Sequence, residues 1–307
     1  DLAQNKILPA LYRLHRQGLL AQSESGAMQF SLIGNGRTEH DDASFRQFVH
    51  DIVQPADAAT WKEFAETLHY VQGSATEADT LQTILDRYRA LNQEYDCSNI
   101  LWHFSILPKL YVPIIENFPQ LDVAQCVDGW MKIMLEKPFG TDLESAHELN
   151  AILSEYFDED QIYRIDHYLA KETVQNILAF RFVNDMFEYI WNKDYIEHIE
   201  VTALETQGVE GRENFYDDVG AVRDVVQNHV LQMLATSIME EPSSLSAEAI
   251  RDKRHAAIDS LSLRGGVEES ISLGQFQSYR DAKNIPQDST TETAAALALQ
   301  SSLPHMQ

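Results

Sequence analysis

Short apolar runs alternate with stretches of helical periodicity from residue 29 to residue 156, and no other feature narrows the fold as much. Gln29 to Ile33 reads as a strand ending in Gly34-Asn35-Gly36-Arg37. Phe45 to Val53 and Trp61 to Leu68 read as helices, His69 to Val71 as a strand and Asp79 to Gln93 as a helix. Ile100 to Ile106 is a strand, Leu110 to Asn117 a helix, Lys132 to Leu135 a buried strand and Asp142 to Tyr156 a helix. An amphipathic helix, Leu8 to Leu20, precedes them. Parallel strands need crossover connections, so this order predicts a parallel sheet covered on both faces: an α/β, doubly wound, Rossmann-like domain.

After Tyr163 the pattern changes. Glu172 to Trp191, Asp217 to Met239 and Ser246 to Leu261 read as long helices. Tyr195 to Glu205 alternates like a half-buried strand. Glu268 to Phe276 and Thr290 to Leu299 read as strands, the second Ala-rich enough to suit a helix. The expectation is an α+β domain on a mainly antiparallel sheet, with domains at 1–160 and 161–307.

Composition excludes some functions. With 23 basic against 48 acidic residues the net charge is −25, which argues against nucleic acid. A phosphorylated small molecule needs only a local cluster of Lys, Arg and His. No run reaches the ~18 apolar residues of a membrane span, and the start lacks a signal-peptide layout. Cys97 and Cys126 form neither a disulfide framework nor a metal spacing, so no metal site is read and a reducing cytoplasm is the simplest compartment.

Chemistry concentrates in three segments. Tyr163 to Glu172, YRIDHYLAKE, crowds Asp166, His167, Tyr168 and Lys171 together. An Asp can orient an imidazole, and His with Lys can hold a phosphate. Glu136 to Gly140 reads EKPFG, a strand end closing in a turn. Asp217 to Gln232 reads DDVGAVRDVVQNHVLQ. On an α-helix Asp224 and Asn228 would share a face, with His229 about 100° round from Asn228.

These segments resemble the glucose-6-phosphate dehydrogenase family. Its signature RIDHYLGKE matches with Ala170 in place of Gly. Asp1 to Leu14 resembles the family's DLAxRKLxPALYxL, and FSLIGNGR at Phe30 to Arg37 its second strand and following turn. NILWHFSILPKLY, Asn99 to Tyr111, is similar to another family segment, with Leu107 replacing a proline.

The resemblance implies an NADP-dependent oxidation of glucose 6-phosphate to the lactone, with NAD as a possible coenzyme. His229 would be the general base and Asp166 its orienting carboxylate. His167, Tyr168 and Lys171 would hold the 6-phosphate. Glu205 and Asp224 would accept hydrogen bonds from sugar hydroxyls. Lys137 would sit between coenzyme and sugar phosphate. Arg37 and Thr38 would meet the 2′-phosphate of NADP, and Lys6 keeps a basic coenzyme-side position. A homodimer or homotetramer is implied.

In the family a Gly-rich turn, GxxGDLA, follows a first strand. The chain starts at Asp1-Leu2-Ala3, so the expectation is a sequence lacking that strand and turn, and also a C-terminal part. Two readings stand: a dehydrogenase recorded as an incomplete chain, or a truncated, inactive homologue acting as a binding or assembly partner. A third keeps the enzyme and changes the sugar phosphate.

Overall fold

The computed structural model describes residues 2–20, 29–95, 99–119, 129–140, 142–206, 208–209 and 211–306. Cys97 and Cys126 lie outside them. The chain divides into two units, Asp1–Ile165 and Asp166–Gln307.

The first unit contains α1 (Leu8–Arg16), β1 (Leu32–Gly36), α2 (Asp42–Val53), α3 (Ala58–Glu66), β2 (Leu68–Gln72) and α4 (Ala78–Tyr95). There follow β3 (Ile100–Phe104), α5 (Tyr111–Ile115), β4 (Met131–Glu136), α6 (Leu143–Tyr156) and β5 (Ile162–Ile165). Among the described residues of this unit the strand pairs are parallel, as the alternation predicts, but they form two sheets where one is expected: β1 with β2, and β4 between β3 and β5. β5 lies past residue 160, where the sequence pattern changes. Helix starts are set by capping carboxylates: Asp41 accepts from Ser44 N at 2.7 Å and Asp142 from Ser145 N at 2.9 Å.

β1 begins later than expected, and the two glycines read as a turn are part of it. Its register comes from β2, with Leu32 opposite Leu68, which a periodicity argument cannot see. Gly34 is needed inside the strand, because an added Cβ would lie 2.7 Å from Phe45 Cζ. The central strand β4 buries Ile133 and Leu135 completely, among Leu81, Leu85, Tyr111 and Ile115. Fully burying side chains of this size contributes about 1.5–3 kcal/mol each.

The second unit contains α7 (Glu172–Phe182), α8 (Asp185–Ile190), α9 (Glu213–Ala221), a π-helix (Val222–Val230), α10 (Leu231–Ile238) and α11 (Ala247–Asp259). Then come β6 (Leu261–Leu263), α12 (Val267–Ser270), β7 (Ile271–Gly274), β8 (Ala294–Leu297) and β9 (Leu299–Ser301). The pairs β6–β9 and β7–β8 are antiparallel.

Several expectations are corrected here. The helix expected over Glu172 to Trp191 breaks at Val183-Asn184, where Asn184 Nδ2 donates to the carbonyls of Ala179 and Phe180 and ends α7. The strand expected over Tyr195 to Glu205 is absent: the segment opens in a turn, with the Tyr195 and Ile196 N–H groups donating to Asn192 O, and pairs with no strand among the described residues. Its alternation is present, with Ile199, Val201 and Ala203 half-buried, but alternation cannot name a partner. Glu268 to Phe276 opens with a helical turn before β7. The Ala-rich run is strand, changing partner at Ala298, whose N–H bonds the Ser270 carbonyl at 2.8 Å.

One buried cation organises this unit. Arg181 is fully buried, donating to the carbonyls of Thr236, Ser237 and Met239 at 3.2, 2.9 and 2.8 Å. It also grips both carboxylate oxygens of Glu188 at 3.2 and 3.3 Å. One planar fork thereby meets three carbonyls at the end of α10, of which Ser237 O also accepts from Trp191 Nε1 at 2.7 Å.

Burial pulls the imidazoles of His69, His103 and His305 below their ordinary value, His69 with help from Arg87. Below about pH 6.5 the unfolded chain then binds protons that the folded chain refuses, so stability falls with pH, by up to about 1.4 kcal/mol per pH unit per histidine. Burial raises the carboxyls of Glu136 and Glu188, which acts in the opposite sense, so the readout is a difference. His305 Nε2 donates to Ile238 O at 3.0 Å, a bond Gln can keep. His305→Gln is expected to lose less Tm than the parent between pH 7.5 and pH 5.5. Equal losses would remove His305 from the linkage.

Candidate active site

The conspicuous side chains of the second unit meet around one imidazole. Asp166 opens a turn that runs into α7. Its Oδ1 accepts the Tyr168 N–H at 2.9 Å, which fixes the carboxylate against its own backbone. The same oxygen accepts from His229 Nδ1 at 2.7 Å, a charge-assisted distance. The Tyr168 ring stacks on the His229 ring, centroids 4.3 Å apart and planes 17° from parallel. His167 meets His229 edge-on at 4.5 Å. Lys171 Nζ stands 3.6 Å from the Tyr168 ring centroid, a cation–π contact that holds an exposed ammonium near the imidazole.

His229 reaches this position through a helix that sequence periodicity misdescribes. Asp217 to Met239 is expected as one long helix, but it breaks at Gly220 and continues as a π-helix over Val222–Val230. Residues five apart on an α-helix lie about 140° from each other. Bonding from i to i+5 brings them onto one face, and Asp224 and His229 are both buried, at 7% and 2% exposure. The expected α-helical pairing of Asp224 with Asn228 is therefore replaced by Asp224 with His229.

The break has a physical cause. Gly220 has φ 73°, and an added Cβ would lie 2.4 Å from Glu292 Oε1. That carboxylate accepts the Val222 N–H at 3.0 Å and satisfies an amide of the π-helix's first turn.

Polar groups line the neighbourhood. Arg212 Nη2 donates to Asp224 Oδ2 at 3.1 Å. Burial, then the fields of Glu205, Asp166 and Asp224, raise the Tyr168 phenol, so it stays protonated and can donate. Tyr216 is pushed up to about 12, by burial first and then by Asp224, Glu292 and Glu205. Thus Asp166, His167, Tyr168, Lys171 and His229 come together, with Asp224 and exposed Glu205 within electrostatic range of Tyr168. Arg212, Tyr216 and Glu292 were not legible from sequence: Tyr216 and Glu292 act through contacts seventy or more residues apart, and Arg212 reaches Asp224 across the break at Gly220.

The remaining expected residues lie in the first unit. Arg37 and Thr38 are exposed just past β1, and Thr38 O accepts from Tyr70 OH at 2.9 Å. Lys137 follows β4, its peptide bond to Pro138 cis. Lys6 is exposed on the π turn Ala3–Ile7. In open parallel sheets ligands bind beyond the carboxyl ends of strands, which is where Arg37, Thr38 and Lys137 stand.

Fold and site define a two-domain protein of the Rossmann class, with a carboxylate–histidine pair in its α+β unit. Residues 1–176 match the family model "Glucose-6-phosphate dehydrogenase, NAD binding domain", and 178–303 match "Glucose-6-phosphate dehydrogenase, C-terminal domain". The chain belongs to the glucose-6-phosphate dehydrogenase family.

Glucose-6-phosphate 1-dehydrogenase 2 of Mycobacterium bovis is 36% identical over 317 aligned residues, covering 98% of this chain and 60% of that relative. Glucose-6-phosphate 1-dehydrogenase of Aggregatibacter actinomycetemcomitans is 36% identical over 97% of this chain and 62% of its own length. The crystal structure of the Mycobacterium avium glucose-6-phosphate 1-dehydrogenase superposes with TM-score 0.84 at 33% identity, over 99% of this chain and 64% of that one. A glucose-6-phosphate dehydrogenase in complex with its substrate glucose-6-phosphate gives TM-score 0.89 at 29% identity, with the same coverage of 99% and 64%. The chain thus spans about 60% of the length of the curated relatives it matches. The coenzyme class that goes with its first unit is a nicotinamide dinucleotide.

Proposed function

We propose that this chain carries the oxidation of glucose 6-phosphate at its anomeric carbon with NADP, giving 6-phosphogluconolactone, the first step of the pentose phosphate pathway. The carrying observation is the 2.7 Å bond between Asp166 and His229. It engages Nδ1, so Nε2 is the nitrogen that takes the anomeric hydroxyl proton. As that proton leaves, the C1–H bond breaks with its electron pair and the lactone carbonyl forms. Asp166 stabilises the imidazolium, the more strongly because the His229 ring is 2% exposed and little screened by water.

His167, Tyr168 and Lys171 hold the phosphate, and Glu205 and Asp224 accept from sugar hydroxyls. The chemistry of Arg37 and Thr38 fits a 2′-phosphate, since an exposed guanidinium past a parallel strand can pair it bidentately. With Lys6 and Lys137 they would hold NADP, which supplies a hydride acceptor when bound. We infer a homodimer or homotetramer in the cytoplasm.

The test is NADPH formation at 340 nm with glucose 6-phosphate, with galactose and glucosamine 6-phosphates as competitors for the sugar assignment. Turnover supports the reading. Absence of turnover, with glucose 6-phosphate still bound by calorimetry, would replace it by a non-catalytic sugar-phosphate binder.

Lys171→Ala is expected to raise KM for glucose 6-phosphate by about 10–100-fold, the worth of one charged hydrogen bond. KM for free glucose should change little. Equal effects on both sugars would remove Lys171 from the phosphate site.

A further inference from the structure

We propose that Asp166, His167 and His229 also form a site for a first-row divalent transition metal ion, and that occupancy switches the base off. Each of the three offers one ligand atom, and those atoms lie within 4.8 Å of one another. No sequence spacing announces the site, because His229 comes from the π-helix and the other two from the turn before α7.

The donor set decides the class of ion. Two imidazoles and one carboxylate suit Co²⁺, Ni²⁺ and Zn²⁺, whereas Mg²⁺ and Ca²⁺ ask for oxygen. Ligand atoms around a tetrahedral Zn²⁺ at about 2.0–2.1 Å are roughly 3.3 Å apart. Wider pairs must therefore close by at most about 1.5 Å, and Asp166 Oδ1 and His229 Nδ1, 2.7 Å apart, must instead part by roughly 0.6 Å. His167 is exposed and can swing, while Asp166 and His229 are held by the Tyr168 amide and the helix.

The field helps. The net charge is −25, and Glu205 and Asp224 act on the same Tyr168 that stacks on His229. Lys171 and Arg254 oppose it, Lys171 over the Tyr168 ring and Arg254 through its attraction to Asp166. Direct bonds to three ligands outweigh those more distant charges. The bound ion displaces the proton shared by Asp166 and His229 and leaves no base. On the proposed function it also takes His167 from the phosphate, so ion and sugar phosphate compete.

The experiment titrates untagged chain with Co²⁺ alone, reading visible d–d absorption and calorimetric stoichiometry. One ion per chain is expected, with affinity at least about tenfold lower in His167→Ala, a change at an exposed position that leaves the fold intact. His255→Ala, at the surface pair with Asp259, should change nothing. Equal affinity in the parent and His167→Ala overturns the site. Glucose 6-phosphate is then added to the Co²⁺ form. Loss of the absorption supports the overlap with the sugar site. Retained absorption, with the His167→Ala effect intact, leaves the metal site standing and counts against the sugar-phosphate reading instead.

Discussion

His229→Asn is expected to lower kcat by about 10³-fold while leaving the Kd for glucose 6-phosphate nearly unchanged. Asn fills similar space but cannot take a proton near pH 7, so the loss falls on the chemical step. Asp166→Asn should cost about 10²–10⁴-fold as well, because the amide no longer fixes the tautomer or offsets the imidazolium charge. The 2.7 Å bond makes the two residues one unit, so the double variant should be little worse than the poorer single variant. Steady-state kinetics beside calorimetry separates the outcomes. A turnover within a few-fold of the parent in His229→Asn would place the base elsewhere.

Arg181→Ala is expected to destabilise the second unit by roughly 3–5 kcal/mol, read as a lower urea midpoint. The buried carbonyls of Thr236 and Met239 lose their donor, Ser237 O keeps only Trp191 Nε1 at 2.7 Å, and Glu188 is left half-buried without its cation. Folded domains hold only about 5–15 kcal/mol, so much of the margin disappears. Arg181→Lys should recover little, since one ammonium cannot reach three carbonyls and both oxygens of Glu188. An unchanged midpoint in Arg181→Ala would show that the α10 carbonyls find other partners.

The legibility of the chain follows how local each feature is. In the first unit β2 and β4 fall within a residue or so of their expected bounds, because apolar patterning acts over a few positions. Asp166, His167, Tyr168 and Lys171 were legible because they share one turn. Their meeting with His229 was implied by the family resemblance alone and not by spacing, since some sixty residues intervene and only the fold closes that distance. Periodicity also carried helix across Val183-Asn184 and Gly220, because it does not register a side-chain amide capping α7 or a carboxylate from Glu292.

The sequence alone determined the parallel α/β order, the change of pattern before Asp166 and the chemical types in the site. Tertiary structure decided what five-residue spacing means. On the α-helix that propensity favours, Asp224 and His229 diverge. On the π-helix that Gly220 and Glu292 introduce, they share a buried face beside Tyr168. Helical period is a backbone hydrogen-bond choice, and here a carboxylate seventy residues away accepts the first N–H of the π-helix.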